Sequence, residues 1–365
     1  MIFFDHNATT PIDPRVVEAM MPYLINGYGN PSSLYRLGRL SRSAIDSARE
    51  QVAALVDVLP SQIIFTSGGT EANALAMESF HGRRLFLSAI EHPAVAENVL
   101  YRQTQYTRLE ILPISANGVL STECIENLAL CIGDVVCLML ANNETGALQP
   151  VAELSAKASM VGAWVHTDAV QALGKIPVSF NKLGVQSMSL SSHKIYGPKG
   201  CGALVITPEI SIHPLLYGGD QEQSMRAGTE NVAAIVGFGK AAELARLEFQ
   251  ARADHLLNLR AYLEKGLSQV TGLVIFAEQT ARLPNTVQFA IPDTQGEMLL
   301  MQLDKKGIAV SSGSACKAGS LEPSPVLTAM GIQPKLAQSA IRISLGKDNS
   351  FQQVDQFLSV LQSLV

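Results

Sequence analysis

Short apolar runs alternate with longer segments of helical period through the first two thirds of this chain. Residues 63–65, 84–88, 135–140, 163–166 and 188–190 read as short strands, and most of them are apolar at nearly every position. Strands of that kind lie buried on both faces, as in a parallel sheet. Between them, apolar residues recur at three- and four-residue spacing. Helices are therefore predicted from the glycine turn at 66–71 through Met77, after Pro93, and over 151–160. Residues 203–206 follow the Gly197-Pro198-Lys199-Gly200 turn and read as an antiparallel return strand. The alternation predicts an α/β architecture, a mostly parallel sheet covered on both faces.

The ends of the chain read differently. Residues 1–14 form an arm punctuated by Pro11 and Pro14, with Asp13 placed to cap a helix entered at Pro14. A polar helix follows over 33–56. Its Arg36, Arg39, Arg42 and Arg49 are expected to form a solvated face rather than to meet an acidic partner. Beyond residue 230 comes a long helical stretch, 232–269, with a break. Strands are predicted near 273–276, 286–289 and 341–344, and helices near 296–304 and 351–364. This predicts a second, smaller α+β domain. We expect residues 15–245 to form the large domain, and 1–14 with 246–365 to form the small one.

Composition narrows the possibilities. The 365 residues are 47% apolar, with Gly and Pro spread along the chain, as in an ordered globule. A formal charge of −5 and a pI near 5.8 give no support to nucleic-acid binding or to an anionic membrane surface. The N-terminus lacks the apolar core of a signal peptide, and the densest apolar run, 135–141, is far short of the roughly 20 residues a spanning helix needs. A soluble, cytoplasmic protein is expected. Five cysteines show no metal-ligand spacing, and an odd count argues for free thiols. Cys131, Cys137 and Cys201 lie in or beside apolar segments and are expected in the core.

Candidate chemistry gathers at the predicted carboxyl ends of the strands, where open α/β sheets bind ligands. Lys194 follows the strand at 188–190, among small residues and before a Gly-Pro-Lys-Gly turn. A lysine so placed suits a Schiff base with a carbonyl-bearing cofactor, since burial lowers an amine's pKa and frees it as nucleophile and base; a lone lysine in such a loop is otherwise a solvated one. Gly69 and Thr70 open a helix whose N-terminus can cup a phosphate. Asp168 ends an apolar strand. It either caps the following turn or faces a cation, for which a protonated pyridine nitrogen qualifies. His92 either stacks on a cofactor ring and exchanges a proton or serves structure beside Pro93. Cys316 lies in SSGSACKAGS (311–320), which has no helical or strand period and reads as a mobile loop with an exposed thiol.

The segments FTSGGTEAN (65–73), IEHPAV (90–95), NNETG (142–146), HTDAVQALGK (166–175), SSHKIYGPKG (191–200), RAGTEN (226–231) and SSGSACKAGSLEPSPVL (311–327), in that order, resemble the motifs of the cysteine desulfurases of NifS/IscS type. DHNATTPIDPRV (5–16) and GNPSS (29–33) match as well. The resemblance implies the aspartate-aminotransferase-like fold (fold type I), with a seven-stranded sheet in the large domain. It implies pyridoxal 5'-phosphate as cofactor and a homodimer with active sites at the subunit interface. By position, Lys194 matches the cofactor lysine, Asp168 the partner of the pyridine nitrogen, Gln171 the ligand of the phenolic oxygen and His92 the stacking histidine. Asn143 matches a cofactor- and substrate-side asparagine. Gly69, Thr70, Ser191 and His193 match phosphate or cofactor contacts, Thr229 a threonine supplied by the other subunit, and Arg342 the arginine that holds the substrate carboxylate. Cys316 matches the cysteine that takes sulfur from L-cysteine and passes it, as a persulfide, to an acceptor protein. A selenocysteine lyase or aminotransferase of the same fold, or an idle sulfur-relay protein, are the alternatives.

Overall fold

The computed structural model describes residues 1–312 and 322–365. Strand β1 (Ile2–Phe3) precedes the large sheet, which is built from β2 (Ile63–Thr66), β3 (Arg84–Ser88), β4 (Arg108–Leu112), β5 (Val135–Cys137), β6 (Trp164–Asp168), β7 (Ser187–Ser191) and β8 (Gly202–Ile206). Its order is β2-β8-β7-β6-β5-β3-β4. Strands β7, β6, β5, β3 and β4 are parallel; β8 runs antiparallel to both β7 and β2. The expected seven-stranded sheet and the antiparallel return are both present. Strands β2, β5, β7 and β8 are buried at every residue, as their unbroken apolar or small sequences require when helices cover both faces. Strand β5 is shorter than the apolar run that predicted it. Hydrogen bonds from Leu138 N to His166 O and from Leu140 N to Asp168 O carry the chain on toward the loop at 141–146.

Asp13 caps the helix Pro14–Ile25 as expected. The predicted long helix is two, Val232–Leu247 and Phe249–Leu267, broken at Glu248. The first crosses the helix Arg36–Val56 so closely that a Cβ on Gly239 would lie 2.6 Å from the Ala48 Cα, which only glycine permits. The arginines of Arg36–Val56 overturn one expectation. Arg49 makes a two-pronged pair with Glu222, both contacts 2.7 Å, and Arg42 pairs with Glu230 at 2.5 Å. Periodicity along a helix does not reveal an acidic loop that folds back some 170 residues later. Cys137 and Cys201 are buried, whereas Cys131 is exposed: it precedes the turn into β5 rather than joining the strand.

Strands β9 (Val274–Ile275), β10 (Thr286–Ala290), β11 (Ile308–Ala309), β12 (Ser311–Ser312) and β13 (Ala340–Ser344) complete the fold. Four of them form an antiparallel sheet in the order β12-β13-β10-β9, while β1 pairs parallel with β11. Alternation along β10 and β13 separates two roles. Val287, Phe289, Ile341 and Ile343 enter a core with Phe4, Leu263, Phe357 and Leu361. Thr286, Gln288, Arg342 and Ser344, paired across the two strands, carry polar groups toward the large sheet.

Phe4 is fully buried against Phe357, and its backbone bonds to Ala309 and Ser344. Phe4→Ala is expected to cost about 3–5 kcal/mol in urea unfolding. Tyr101→Ala, at an 87% exposed site, should change stability by less than about 0.5 kcal/mol. Equal effects of the two substitutions would contradict this account of the small core.

Candidate active site

Four turns at the carboxyl ends of the central strands converge on one cavity. Strand β3 leads to His92, β5 to Asn143, β6 ends at Asp168, and β7 passes through a short 3-10 turn, Ser192–Lys194. The cavity is about 240 Å³ and is lined by Lys194, Asp168, Gln171, His92, Asn143, Ser191, His193, Gly69 and Thr70, together with Ala8, Asn73, Ala94, Met139 and Val170. Nine of the residues singled out in the sequence thus meet in one place.

The lysine is held by the N-terminal arm. Lys194 Nζ donates to the carbonyl oxygens of Asn7 and, at 2.8 Å, Ala8. The arm is fixed in turn by Thr10, whose N and Oγ1 both donate to His193 O. Tyr196, two residues beyond Lys194, takes a left-handed φ of 69°. That conformation is costly for an aromatic residue. It is held by Thr10 Oγ1 on its N, Asp13 N on its O and Lys347 N on its hydroxyl. These bonds hold the backbone that follows Lys194 against the arm.

Asp168 is buried, and its oxygens accept from Val170 N at 2.9 Å and Asn73 Nδ2 at 2.7 Å. Behind Asn73 stands His166, whose Nε2 meets Asn73 Oδ1 at 3.0 Å and whose Nδ1 meets Ser187 Oγ at 2.8 Å. Burial drives the His166 pKa down to about 3, so the ring is neutral. Asn73 spends its N–H₂ on Asp168, so its oxygen must accept from His166 Nε2–H, and Nδ1 accepts from Ser187. Every dipole in this chain points its positive end at Asp168. Among the described residues no lysine or arginine pairs with that carboxylate. Neutral donors leave a buried negative charge that suits a cation on the cavity side.

His92 caps the helix Pro93–Tyr101, its Nδ1 accepting from Ala94 N at 3.0 Å. His92 thus serves structure through Nδ1 and also lines the cavity. Its pKa is lowered, chiefly by burial and further by Lys194 and Arg342 against the opposing pull of Asp168. The neutral ring carries its proton on Nε2. Burial, with Lys194 and Lys199, brings His193 to about 4. Gln171 donates to Asn7 O at 2.9 Å. At the start of the helix Gly69–Glu78, a Cβ on Gly69 would lie 2.9 Å from Val170 Cγ2, so glycine is needed for the turn to fit. The Ser191 hydroxyl is buried and has no partner among the described residues.

Two expected residues stand elsewhere. Arg342 lies on β13 and reaches the cavity's edge through Asn143, whose carbonyl accepts from Nη1 at 3.1 Å; Nη2 pairs with Asp5 at 2.6 Å. Thr229 is exposed and lines a different cavity of about 210 Å³ with Ser67, Arg226 and Glu230. Cys316 lies outside the described residues. Sequence reasoning assigned no role to Asn7, Asn73, His166 or Lys175. The available signal was a polar residue inside an apolar run, as in EANALAM and WVHTD.

A family model described as aminotransferase class-V matches residues 2–357. The chain is 41% identical over 370 residues to "Cysteine desulfurase IscS" of Methanosarcina thermophila, covering all of this chain and 92% of that protein. It is 40% identical to a protein of the same name from Dictyoglomus turgidum, covering all of this chain and 94% of that one. A NifS-like protein from Rickettsia africae superposes with a TM-score of 0.91 at 35% identity, over 100% of this chain and 99% of the other. The structure titled "SspA in complex with cysteine" follows with a TM-score of 0.84 at 30% identity, over 96% and 100%.

The chain belongs to the class-V aminotransferases, among the cysteine desulfurases. Its cofactor is pyridoxal 5'-phosphate. The donor set fits that group. Lys194 supplies an amine for an aldehyde, Asp168 a buried carboxylate with no cationic partner among the described residues for a protonated ring nitrogen, and Gln171 an amide N–H₂ for a phenolic oxygen. A helix N-terminus beside a serine hydroxyl that has no partner among the described residues suits the phosphate. Beside this desulfurase-family site, behind Met139, lies the buried Glu91, with one oxygen accepting from Met139 N at 2.6 Å and the other without a partner among the described residues.

Burial pushes the Glu91 pKa to about 8, the Met139 N–H opposing and Asp168 adding to the rise. The folded protein thus holds a proton that the unfolded chain releases near 4.5. The stability this confers is full below about 4.5 and is lost as the pH climbs through about 8. Glu91→Gln, which does not titrate, should gain stability relative to the parent between pH 5 and pH 9 in urea unfolding. A difference that stays flat across that range would refute the buried-proton account.

Proposed function

We propose that the chain is an L-cysteine desulfurase in which Lys194, Asp168, Gln171, His92 and Asn143, with Gly69, Thr70, Ser191 and His193, hold the cofactor, Arg342 holds the substrate carboxylate and Cys316 receives the sulfur. The observation that carries this reading is the meeting of Lys194 with Asp168, Gln171 and His92 in one cavity above a helix N-terminus. The alternatives entertained on sequence have no counterpart among the relatives named above.

Pyridoxal 5'-phosphate, when bound, supplies an aldehyde for the substrate amine and a ring that takes up electron density from Cα. Asp168, with its chain of donors, keeps a positive charge on the ring nitrogen favourable. Lys194 Nζ, which donates to the carbonyl oxygens of Asn7 and Ala8, is placed to accept the Cα proton once it is a neutral amine. His92 Nε2 bears a proton and adjusts protonation at the substrate sulfur. Arg342 fixes the carboxylate and thereby the orientation of the Cα–H bond. The Cys316 thiolate attacks the substrate sulfur: an S–S bond forms, the Cβ–S bond breaks, and Cβ takes up a proton. L-cysteine and the Cys316 thiol become L-alanine and a Cys316 persulfide, which an acceptor protein then receives.

The flanks of residues 313–321 support the assignment of Cys316. Ser311 pairs with Arg342 across β12 and β13, and Ser324 Oγ donates to Glu144 at 2.6 Å, next to Asn143. Both stems are tied to the site. Cys316 lies four positions beyond Ser312 in the sequence, a covalent reach of at most about 14 Å. The exposed setting of Thr229 supports a homodimer in which that residue serves the partner's cofactor.

Cys316→Ser should abolish alanine and sulfide formation from L-cysteine, by roughly 10³-fold or more, while retaining the cofactor's yellow colour. Lys194→Ala should lose both the activity and the stable colour. Alanine production at the parent rate by Cys316→Ser, with reductant present, would reject the mechanism.

A further inference from the structure

Lys175, four residues after Gln171, has no part in the reaction as described. It is 7% exposed, and among the described residues no carboxylate pairs with it. Its Nζ donates to two neutral oxygens, Asn7 Oδ1 at 2.8 Å and Gln171 Oε1 at 2.9 Å. Its ionisable neighbours Lys194, Arg342 and His6 are all basic; burial first, and then the charges of Lys194 and Arg342, hold its pKa well below the usual lysine range. Burying an amine in such company is costly. Packing alone would be served better by methionine or leucine, so the position calls for an explanation other than stability.

The contact with Gln171 supplies one. A lysine Nζ that donates to Oε1 forces the amide to turn its oxygen toward Lys175 and its N–H₂ away. The Asn7 carbonyl, accepting from Gln171 Nε2 at 2.9 Å, requires the same orientation. The two contacts agree, and the amide has one stable setting. A carboxamide without such partners presents either end with similar ease, and its oxygen facing an anionic oxygen is repulsive.

We propose that Lys175 is a positioning residue of the cofactor site: by gripping Gln171 Oε1 it keeps the Gln171 N–H₂ presented to the phenolic oxygen of the cofactor. The proposal rests on the reading of Gln171 as a ligand of that oxygen. A donor aimed at an ionised oxygen stabilises the anion, and losing it makes the neighbouring nitrogen hold its proton to higher pH. Lys175 acts through Gln171, so the two residues form one unit and their effects do not add.

The test compares the loaded parent protein, Lys175→Met, Gln171→Ala and the double variant, each first checked for fold by circular dichroism and for size by gel filtration. Two quantities are read: the pH midpoint of the visible absorption band, and the affinity of the cofactor-free protein for pyridoxal 5'-phosphate by equilibrium dialysis. Each single variant should raise the midpoint by about one pH unit and weaken affinity about tenfold, and the double should match the larger single effect. An unchanged midpoint in Lys175→Met while Gln171→Ala shifts would overturn the role of Lys175 alone. An unchanged midpoint in Gln171→Ala would overturn the underlying reading of Gln171. Additive shifts in the double variant would show that Lys175 acts independently, and would also overturn the proposal. Should Lys175→Met not fold, Lys175→Gln replaces it, since a carboxamide can face Gln171 with either end and does not fix it. The same upward shift is expected there, and a parental midpoint overturns the proposal.

Discussion

Asn7 is the joint on which this molecule turns. Its carbonyl oxygen accepts from Lys194 and Gln171, and its side-chain oxygen from Lys175 and Asn285. Its amide nitrogen donates to Asn143 O and Thr286 Oγ1, and its backbone N–H to Ser344 Oγ. One residue thereby binds the carboxyl ends of the large sheet to the polar edge of the small one. Each of these groups is buried or nearly so, and leaving any of them unpaired would cost about 1–3 kcal/mol. The site is rigid because its hydrogen-bonding groups have few alternative partners.

The same economy governs its charges. Among the described residues Asp168 is surrounded by neutral donors, His166 is held neutral, and Glu91 and Glu144 are pushed upward by burial, to about 8 and about 7. For Glu144 the hydrogen bond from Ser324 opposes that rise, as do Arg342 and Gln288. Two buried acids near the pocket thus tend to hold protons rather than add negative charge to it.

Much of this was legible in the residues. The strands of the large sheet announce themselves as short unbroken apolar runs, and the helix boundaries at Asp13 and Val151 follow from caps and periodicity. The residues that line the cavity were found because strand ends in α/β sheets point at ligands, and the ordered motifs then gave them roles. Strand β4 and the helix Thr122–Asn127 escaped notice. The first is an edge strand with charged Arg108 and Glu110, the second only six residues long. The Arg49–Glu222 pair and the Asn7 network were invisible for a different reason: both join positions more than a hundred residues apart, and no local pattern encodes such a contact. Lys175 and His166 were quoted in a motif but given no task, because a polar residue among apolar neighbours does not announce its partner.

The small core draws on both ends of the chain, Ile2 and Phe4 packing with residues as distant as Leu361. The arm precedes these partners in the chain, so a segment synthesised earlier than they are finds its place only when they have emerged. The large sheet can close while Asn7 still has no Ser344 or Thr286 to meet, and until those residues emerge Lys194 lacks a fixed pair of carbonyls. Competence to hold the cofactor therefore arrives late in synthesis, as one event with completion of the fold, so that a truncated chain cannot hold the reactive aldehyde in a half-made pocket.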